Sequence, residues 1–535
     1  MVRFTRVVEV AAGVFAPGHL GALTPLVPFE LVDAVLDASR RTQVRVRVLP
    51  SRVGVYLVLA MVLFPGVGLV GVWNSLVAGL PAWVGRVSEK ALRDVRHRVG
   101  AAPIQMLFQT VAGPVSRPGM AGVRYRRWRT VAFDGCASFK VPNSDPNQAF
   151  FGLRRNSHGP LPYPMLMLMA LVETGTRAVM GAVFGPDTVS ELDYARQLFP
   201  LLGPDMLVLA DRAFDADAFL DALAQTQAQF LIRIRISRRP PVVAVLPDGS
   251  FLTVIEGRTL RVVRATVAAR LADGTAVADT WCLITTLTCH RTDPAGQLLA
   301  LYHERWEIET TFLALRHTLC GRQVLRSGDP DGITQEMWAH LTVYQLLRTV
   351  MADAAVTTAT DPDRTGFTTA LHAARLSVAA ADGITCTTLD DPITTAVQAA
   401  IQPPRRLRLS MRKVKSPTSR YGTTAGQGNR PRASTTITGI DITVHTPEQP
   451  ALPPPPETIP DSVPDLQATA SPALLLALAI IHAYPDHNWR GRDLARNLGI
   501  NDQKALNTFG VALNTAAKHG HIHKTAPGTY TATPP

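Results

Sequence analysis

Between Arg52 and Arg86 lie 33 residues without a charge, VGVYLVLAMVLFPGVGLVGVWNSLVAGLPAWVG. A run of that length either crosses a bilayer or is buried by the rest of the protein. Phe64-Pro65-Gly66 divides it, and Gly68, Gly71, Asn74, Ser75, Gly79 and Pro81 make its second half a poor span. Proline breaks a helix by removing a donor and clashing with the preceding turn. The pattern therefore predicts two buried helices joined by a Pro-Gly break, and no membrane partner. The first 20 residues lack a sustained apolar core followed by a cleavage site, so no signal peptide is expected.

A second constraint is LYHERWEIETTFLALRHTL (301–319). Read as a helix at about 100° per residue, Tyr302, Arg305, Glu309 and Arg316 fall within a roughly 60° arc. Ile308, Leu315 and Leu319 lie on a separate face, where a core belongs. Carboxylates take hard divalent cations and arginine grips phosphate through forked hydrogen bonds, so this face suits a metal ion beside phosphate oxygens. The plain alternative is a solvated surface helix.

Upstream, TVAFDGCASFKV (130–141) reads as a strand, Val131 and Phe133 alternating before Asp134, with a Gly135 turn into a second strand. In DMLVLADRAFDADAFLDAL (205–223) the apolar run Met206 to Ala210 reads as a buried strand ended by Asp211, and Asp215 or Asp217 starts the next helix. Strand ends are where an open α/β sheet places its ligands. Three carboxylates from two strands and a helix can hold two Mg²⁺ ions, which activate an attacking oxygen and stabilise a leaving one in phosphoryl transfer.

The intervening pattern is coherent. Residues 165–185 read as two strands around Glu173–Arg177, 191–202 as a helix, and 228–236 as a fifth strand. The order β-β-β-α-β, with Asp on the first and fourth strands, is that of ribonuclease-H-like nucleases. From about 240 to 290 the chain is strand-rich (SFLTVIEG, LRVVRATVAARL, TWCLITTL). The predicted class is α/β: a ribonuclease-H-like catalytic core interrupted by a β-rich insertion, with an α-helical N-terminal domain and a C-terminal winged-helix-like domain. The expected divisions are a helical domain at 1–115, core at 125–237 and 293–400, insertion at 238–292, linker at 401–470 and winged helix at 471–535.

These residues resemble a known family, the DDE transposases of bacterial insertion sequences of the insertion-sequence-4 type. That family's glutamate helix bears Tyr-x2-Arg-x3-Glu-x6-Lys; here it runs Tyr302, Arg305, Glu309, with Arg316 at the lysine position. Its D-G and D-R-G-F motifs are matched by Asp134-Gly135 and Asp211-Arg212-Ala213-Phe214, with Ala213 in place of glycine. Segments 20–36, 88–100 and 325–355 are also similar to the family, whose N-terminal domain has a comparable apolar stretch.

The resemblance implies cut-and-paste DNA transposition. Asp134, Asp211 and Glu309 would be the catalytic carboxylates and the ligands of two Mg²⁺ ions, with Mn²⁺ able to substitute. Arg305 and Arg316 would clamp phosphates, and Tyr302 would donate to one; arginine at 316 keeps the charge but not lysine's geometry. Trp281 and Trp306 match places where relatives with a hairpin intermediate stack a flipped base, although Trp281 equally suits the core of the insertion. The implied partners are double-stranded DNA, as terminal inverted repeats and target, and a second copy in a synaptic homodimer. The implied setting is the bacterial cytoplasm. The rival readings are a non-catalytic or domesticated DNA-binding regulator and a free-standing nuclease.

Charge agrees with a nucleic-acid partner. The net charge is +12, and residues 401–435 hold nine Lys or Arg and no acid. Such a run either attracts nucleic acid by counterion release or simply stays solvated. Five scattered cysteines with no C-x2-C pair point away from disulfides and zinc and towards a reducing cytoplasm. Ser88 can cap a helix over 89–100 whose Arg96 and Arg98 either read DNA ends or satisfy the helix dipole. After a Thr- and Pro-rich stretch, three helical patterns and a hairpin suggest a winged helix, with Asn501 to Lys518 as its recognition helix. Lys504, Asn507 and Asn514 would be available to DNA there, unless the domain binds protein instead.

Overall fold

A computed structural model describes residues 19–45, 49–80, 86–120, 122–156, 159–272, 274, 276–381, 391–403, 437–447, 472–483, 488–498, 500 and 502–532. They form two compact units: the residues up to Leu209 with those from Glu304 to 403, and Ala210–His303 with those from 437 onwards.

Five helices lead the first unit: α1 (Phe29–Ala38), α2 (Ser51–Leu63), α3 (Leu69–Val77), α4 (Glu89–Val99) and α5 (Ala102–Val111). The uncharged stretch becomes α2 and α3, parted after Phe64. Every residue of α2 except Arg52 is buried. What covers it is a long helix, α11 (Pro330–Thr357), against which both α2 and α5 pack. Each fully buried Leu or Val there contributes about 1.5–3 kcal/mol. No helix among the described residues is long and apolar enough to cross a membrane.

The N-terminal helices, over which a helical domain at 1–115 is expected, lie within the first unit. Of the two expected DNA contacts here, Arg96 faces inward and Arg98 is half-buried. The Arg96 guanidinium is buried, ion-paired with Glu336 at 2.8 Å and bonded to Gln335 at 2.8 Å. Arg98 donates to the Leu49 carbonyl at 2.6 Å. Arg96 falls on the same helical stripe as buried Leu92 and Val99, so the 3.6-residue period turns it towards the core.

The sheet of the first unit takes β1 (Arg124–Tyr125), β2 (Trp128–Lys140), β5 (Met165–Glu173), β6 (Val179–Pro186) and β7 (Met206–Ala210). A helix α6 (Asp145–Phe151) and a small hairpin of β3 (Arg155–Asn156) and β4 (Gly159–Pro160) lie between β2 and β5, and α7 (Glu191–Arg196) precedes β7. The order is β6-β5-β2-β7, antiparallel except for β2 with β7, which run parallel from Arg129–Met206 to Ala132–Leu209. The expected turn at Gly135 is absent. β2 continues through Asp134, which pairs with Ala170, and its irregularity falls later, between Cys136 and Phe139. Gly135 serves a close approach instead: a Cβ there would meet the Glu191 carboxyl carbon at 3.1 Å.

In the second unit, α8 (Asp217–Gln225) leads to β8 (Gln229–Arg233), then β9 (Ala244–Val245), β10 (Phe251–Ile255), β11 (Arg258–Leu271) and β12 (Ala276–Thr285), ordered β8-β12-β11-β10-β9. α9 (Ala295–Leu301) follows. The glutamate segment is not one regular helix: a 3₁₀ turn (Tyr302–Arg305) leads into α10 (Trp306–Leu313) and a π-helical stretch (Ala314–Leu319). After α11, the helices α12 (Phe367–Ala380) and α13 (Pro392–Ala399) complete the first unit.

The region expected to be a linker, 401–470, contributes a strand. β13 (Ile437–Val444) pairs antiparallel with β11 from Ala265–Val444 to Leu271–Ile437. Its alternating Ile440, Ile442 and Val444 suit an edge of that sheet. Most of the basic run of 401–435 lies outside the described residues. Beyond it come α14 (Pro472–Ala483), β14 (Trp489–Arg490), α15 (Gly491–Asn497), α16 (Gln503–Lys518), β15 (Ile522–Ala526) and β16 (Thr529–Ala532), with sheet order β14-β16-β15. Ile481, Leu494, Leu513 and Tyr530 form their core, on which Val243 and Val254 of the insertion also pack.

Candidate active site

In the first unit, β2 and α10 bring Asp134, Arg305 and Glu309 together. Arg305, 6 % exposed, lies 3.6 Å from Asp134 Oδ2 and donates to Glu309 Oε1 at 2.8 Å. Its guanidinium also sits 5.3 Å from the centre of the half-buried Trp306 ring. One cation thus spans two carboxylates that otherwise repel. Glu309 keeps 43 % of its side chain exposed, so the pair opens to solvent on that side. Oxygen donors of this kind fit a hard divalent cation.

Arg316 lies on the π-helical stretch, 2.6 Å from His317 Nε2. Its positive charge acts on the Cys136 thiol, two residues past Asp134, although burial dominates and pushes that thiol up. Burial and the charges of Arg316 and Arg322 push the His317 imidazole down, which keeps it neutral near pH 7. The glutamate face is therefore cationic at one end and acidic at the other.

A neighbouring cluster has almost no counterpart in the sequence patterns. Arg177, in the β5–β6 turn with φ 61°, is buried and pairs with Glu307 at 2.5 Å and Asp363 at 2.6 Å. Its carbonyl accepts from Tyr344 Oη at 2.9 Å, which in turn accepts from the buried Arg348. Glu304, Glu307 and Asp363 bring carboxylate oxygens within 4.8 Å of one another, but Arg177 already neutralises two of them. This knot fixes α10 two residues before Glu309. Its only sequence signal is a charge, Glu307, on the buried side of a helix.

Burial raises the Asp363 carboxyl from 3.8 to about 6, Arg177 opposing and Asp361 assisting. A carboxyl raised on folding stabilises the native state while protonated, fully below pH 3.8, and loses that contribution as pH rises through about 6. The melting temperature of Asp363→Asn relative to the parent is therefore expected to climb between pH 4 and pH 6 and level off above. A flat difference across that window would assign the burial effect to another group.

In the second unit, Asp211 follows the end of β7 and caps a 3₁₀ turn (Arg212–Phe214), its Oδ1 accepting from Ala213 N at 2.7 Å. Ala213 is exposed and has no left-handed backbone, so alanine in place of glycine imposes no strain. The Tyr302 ring is buried and its hydroxyl donates to the Ala210 carbonyl at 3.1 Å, the residue before Asp211. The expected phosphate donor thus braces a strand end. Trp281 is 5 % exposed, with edges against Tyr302 and His303 and Arg233 5.5 Å over its ring. A ring so covered packs the insertion and offers no face to a flipped base. Lys504 and Asn507 are exposed on α16, Asn507 accepting from Gln503 at 3.2 Å.

A family profile described as insertion element 4 transposase N-terminal matches residues 17–109, and one described as transposase DDE domain matches 152–346. The second includes Asp211 and Glu309 and begins after Asp134. Transposase InsG for insertion sequence element IS4 of Escherichia coli (strain K12) is 27% identical over 340 residues, 61% of this chain and 75% of that protein. The putative transposase InsZ of the same strain is 26% identical over 199 residues, 37% of this chain and 65% of that protein. Among solved structures, a piggyBac transposase synaptic complex with hairpin DNA overlaps 74% of this chain and 84% of its own, at a TM-score of 0.36 and 10% identity. A likeness that slight has no bearing on chemistry.

Proposed function

Because this chain belongs to the DDE transposases of the insertion-sequence-4 type, we propose that it moves its element by cutting DNA at the element's ends and joining them to a target. A DDE domain implies polynucleotidyl transfer and dependence on a divalent metal. The catalytic set is Asp134, Asp211 and Glu309, which would hold two Mg²⁺ ions, or Mn²⁺ in their place. Bound there, the ions supply activation of the attacking oxygen and stabilisation of the leaving one.

The observation that carries this reading is Arg305 bridging Asp134 and Glu309. The buried guanidinium lies between two acids that would serve as ligands to a divalent cation, and Arg305 would then be placed to bind a phosphodiester. In the first step water attacks the phosphorus at the element's end, the P–O3′ bond breaks, and a free 3′-hydroxyl and a 5′-phosphate result. In the second, that 3′-hydroxyl attacks a target phosphodiester and displaces the target's own 3′-oxygen. Arg305 and Arg316 grip phosphate oxygens through both steps. Tyr302 holds the strand end before Asp211 rather than touching DNA, and Trp306 is the aromatic with a partly open ring for base stacking. The sheet order of the first unit, with the first long strand between the second and the fourth, is that expected of a ribonuclease-H-like core.

Joining two ends in one event requires two copies, so the working form is a homodimer on paired inverted repeats. The exposed face of α16 is a further candidate DNA contact, through Lys504 and Asn507. The test is to incubate the full chain with Mg²⁺, a duplex carrying the DNA that brackets the gene, and a target plasmid. Joined end–target products are expected. Nicks without joining would make it a nuclease, and binding without nicks a regulator.

A further inference from the structure

Immediately after Asp211, the second unit holds a cleft to which the reading above gives no role. Arg212, Arg233, Ile234, Arg235, Ile236 and Ser237 line an open space of about 470 Å³. Residues 233–239, RIRISRR, carry four arginines in seven positions, and their surroundings differ. Arg238 is ion-paired with both Asp215 and Asp217. Arg233 pairs with Asp279 at 2.9 Å and lies on the Trp281 ring. Arg212 and Arg235 are exposed, and no carboxylate among the described residues forms an ion pair with either.

The backbone that carries these side chains is fixed. Ile234 N donates to the Cys282 carbonyl at 2.8 Å, Arg235 N to Asp215 Oδ2 at 2.9 Å, and Arg238 N closes a turn on the Arg235 carbonyl at 3.0 Å. Arg212 belongs to the short turn that Asp211 caps. A line of packed groups ties the cleft floor to the same strand end: Arg233 on Trp281, Trp281 against Tyr302, Tyr302 on the Ala210 carbonyl. Asp279, Asp215 and Asp217 answer the charges of Arg233 and Arg238, whereas those of Arg212 and Arg235 in the same lining repel unless an anion is supplied from outside.

We propose that this cleft is a phosphodiester-binding site that seats the DNA strand beside Asp211 through Arg212 and Arg235, with Arg233 fixed beneath as its floor. A guanidinium fork matches two phosphate oxygens. An open cleft accommodates a continuous strand, whereas a small anion would need enclosure. Ile236, 50 % exposed and next to Arg235 in the cleft lining, suits the apolar face of a sugar. Only the identity of the polyanion as DNA rests on the transposase reading.

The test measures binding of the full chain to a duplex carrying the DNA that brackets the gene, across a salt series, alongside cleavage with Mg²⁺. Removing one arginine that neutralises a phosphate is expected to lower the slope of log K against log salt by roughly 0.9 on duplex DNA. Arg212→Gln with Arg235→Gln should therefore flatten the slope by about 2 and raise KM for DNA more than it lowers kcat. Arg212→Lys with Arg235→Lys should restore most of the slope, which separates a missing charge from misfolding. An unchanged slope in the double glutamine variant overturns the site, whether or not the parent cuts DNA. A flattened slope in a protein whose parent neither nicks nor joins DNA would keep the site and remove the transposase reading.

Discussion

Glu309→Gln and Asp134→Asn are each expected to lower Mg²⁺-dependent strand cleavage by about a thousandfold or more, which corresponds to about 4 kcal/mol of barrier. Each exchange keeps the side chain's shape and removes the charge a cation needs. Because the Glu309 side chain is 43 % exposed and sits at the edge of the site, its amide is not expected to disturb the fold. DNA affinity should hold or rise, since each change removes negative charge facing a polyanion. Nicking kinetics and DNA binding by the same preparations check both halves. Cleavage within tenfold of the parent by either variant would place the metal elsewhere.

Arg177→Met should be the most damaging single change to stability, at about 3–5 kcal/mol, because it strands the buried Glu307 and the half-buried Asp363. Breaking one side of a buried pair costs more than deleting both. Arg177→Met combined with Glu307→Gln should therefore recover part of the stability, and Arg177→Lys should fall between because an ammonium cannot fork to both acids. The effect should reach catalysis as well, since Glu307 fixes α10 two residues before Glu309. Thermal melting and cleavage at saturating Mg²⁺ give the two readouts. An Arg177→Met protein that melts with the parent would show that solvent already shares this charge.

Much of the candidate site is legible in the sequence because its patterns are local. Asp134-Gly135, Asp211-Arg212 and the Tyr302, Arg305, Glu309 spacing are short-range patterns, and the residues of the first unit among them do converge on Arg305. Periodicity cannot tell α-helix from the 3₁₀ and π stretches that flank α10, because all three keep apolar residues on one side. Arg96 reads as a DNA contact only when its charge is weighed above its place on the stripe of Leu92 and Val99. Gly135 has the composition of a turn, whereas its role is to admit Glu191. The Arg177 knot joins parts of the chain far apart in sequence, and its one local trace is the charge of Glu307 on the buried side of α10.

The strand β13 bears on how the chain comes off the ribosome. Residues 265–271 of β11 are made early, yet the strand that covers their edge is made only after α11 and the basic tract have followed. Until then the insertion presents an uncovered row of backbone donors and acceptors, the kind of edge on which nascent chains associate. A protein cut back to the stretch that matches the transposase profiles, ending at residue 346, keeps that edge permanently. The C-terminal extension thus completes a sheet that begins nearly two hundred residues earlier, and synthesis must run past residue 444 before that sheet can close.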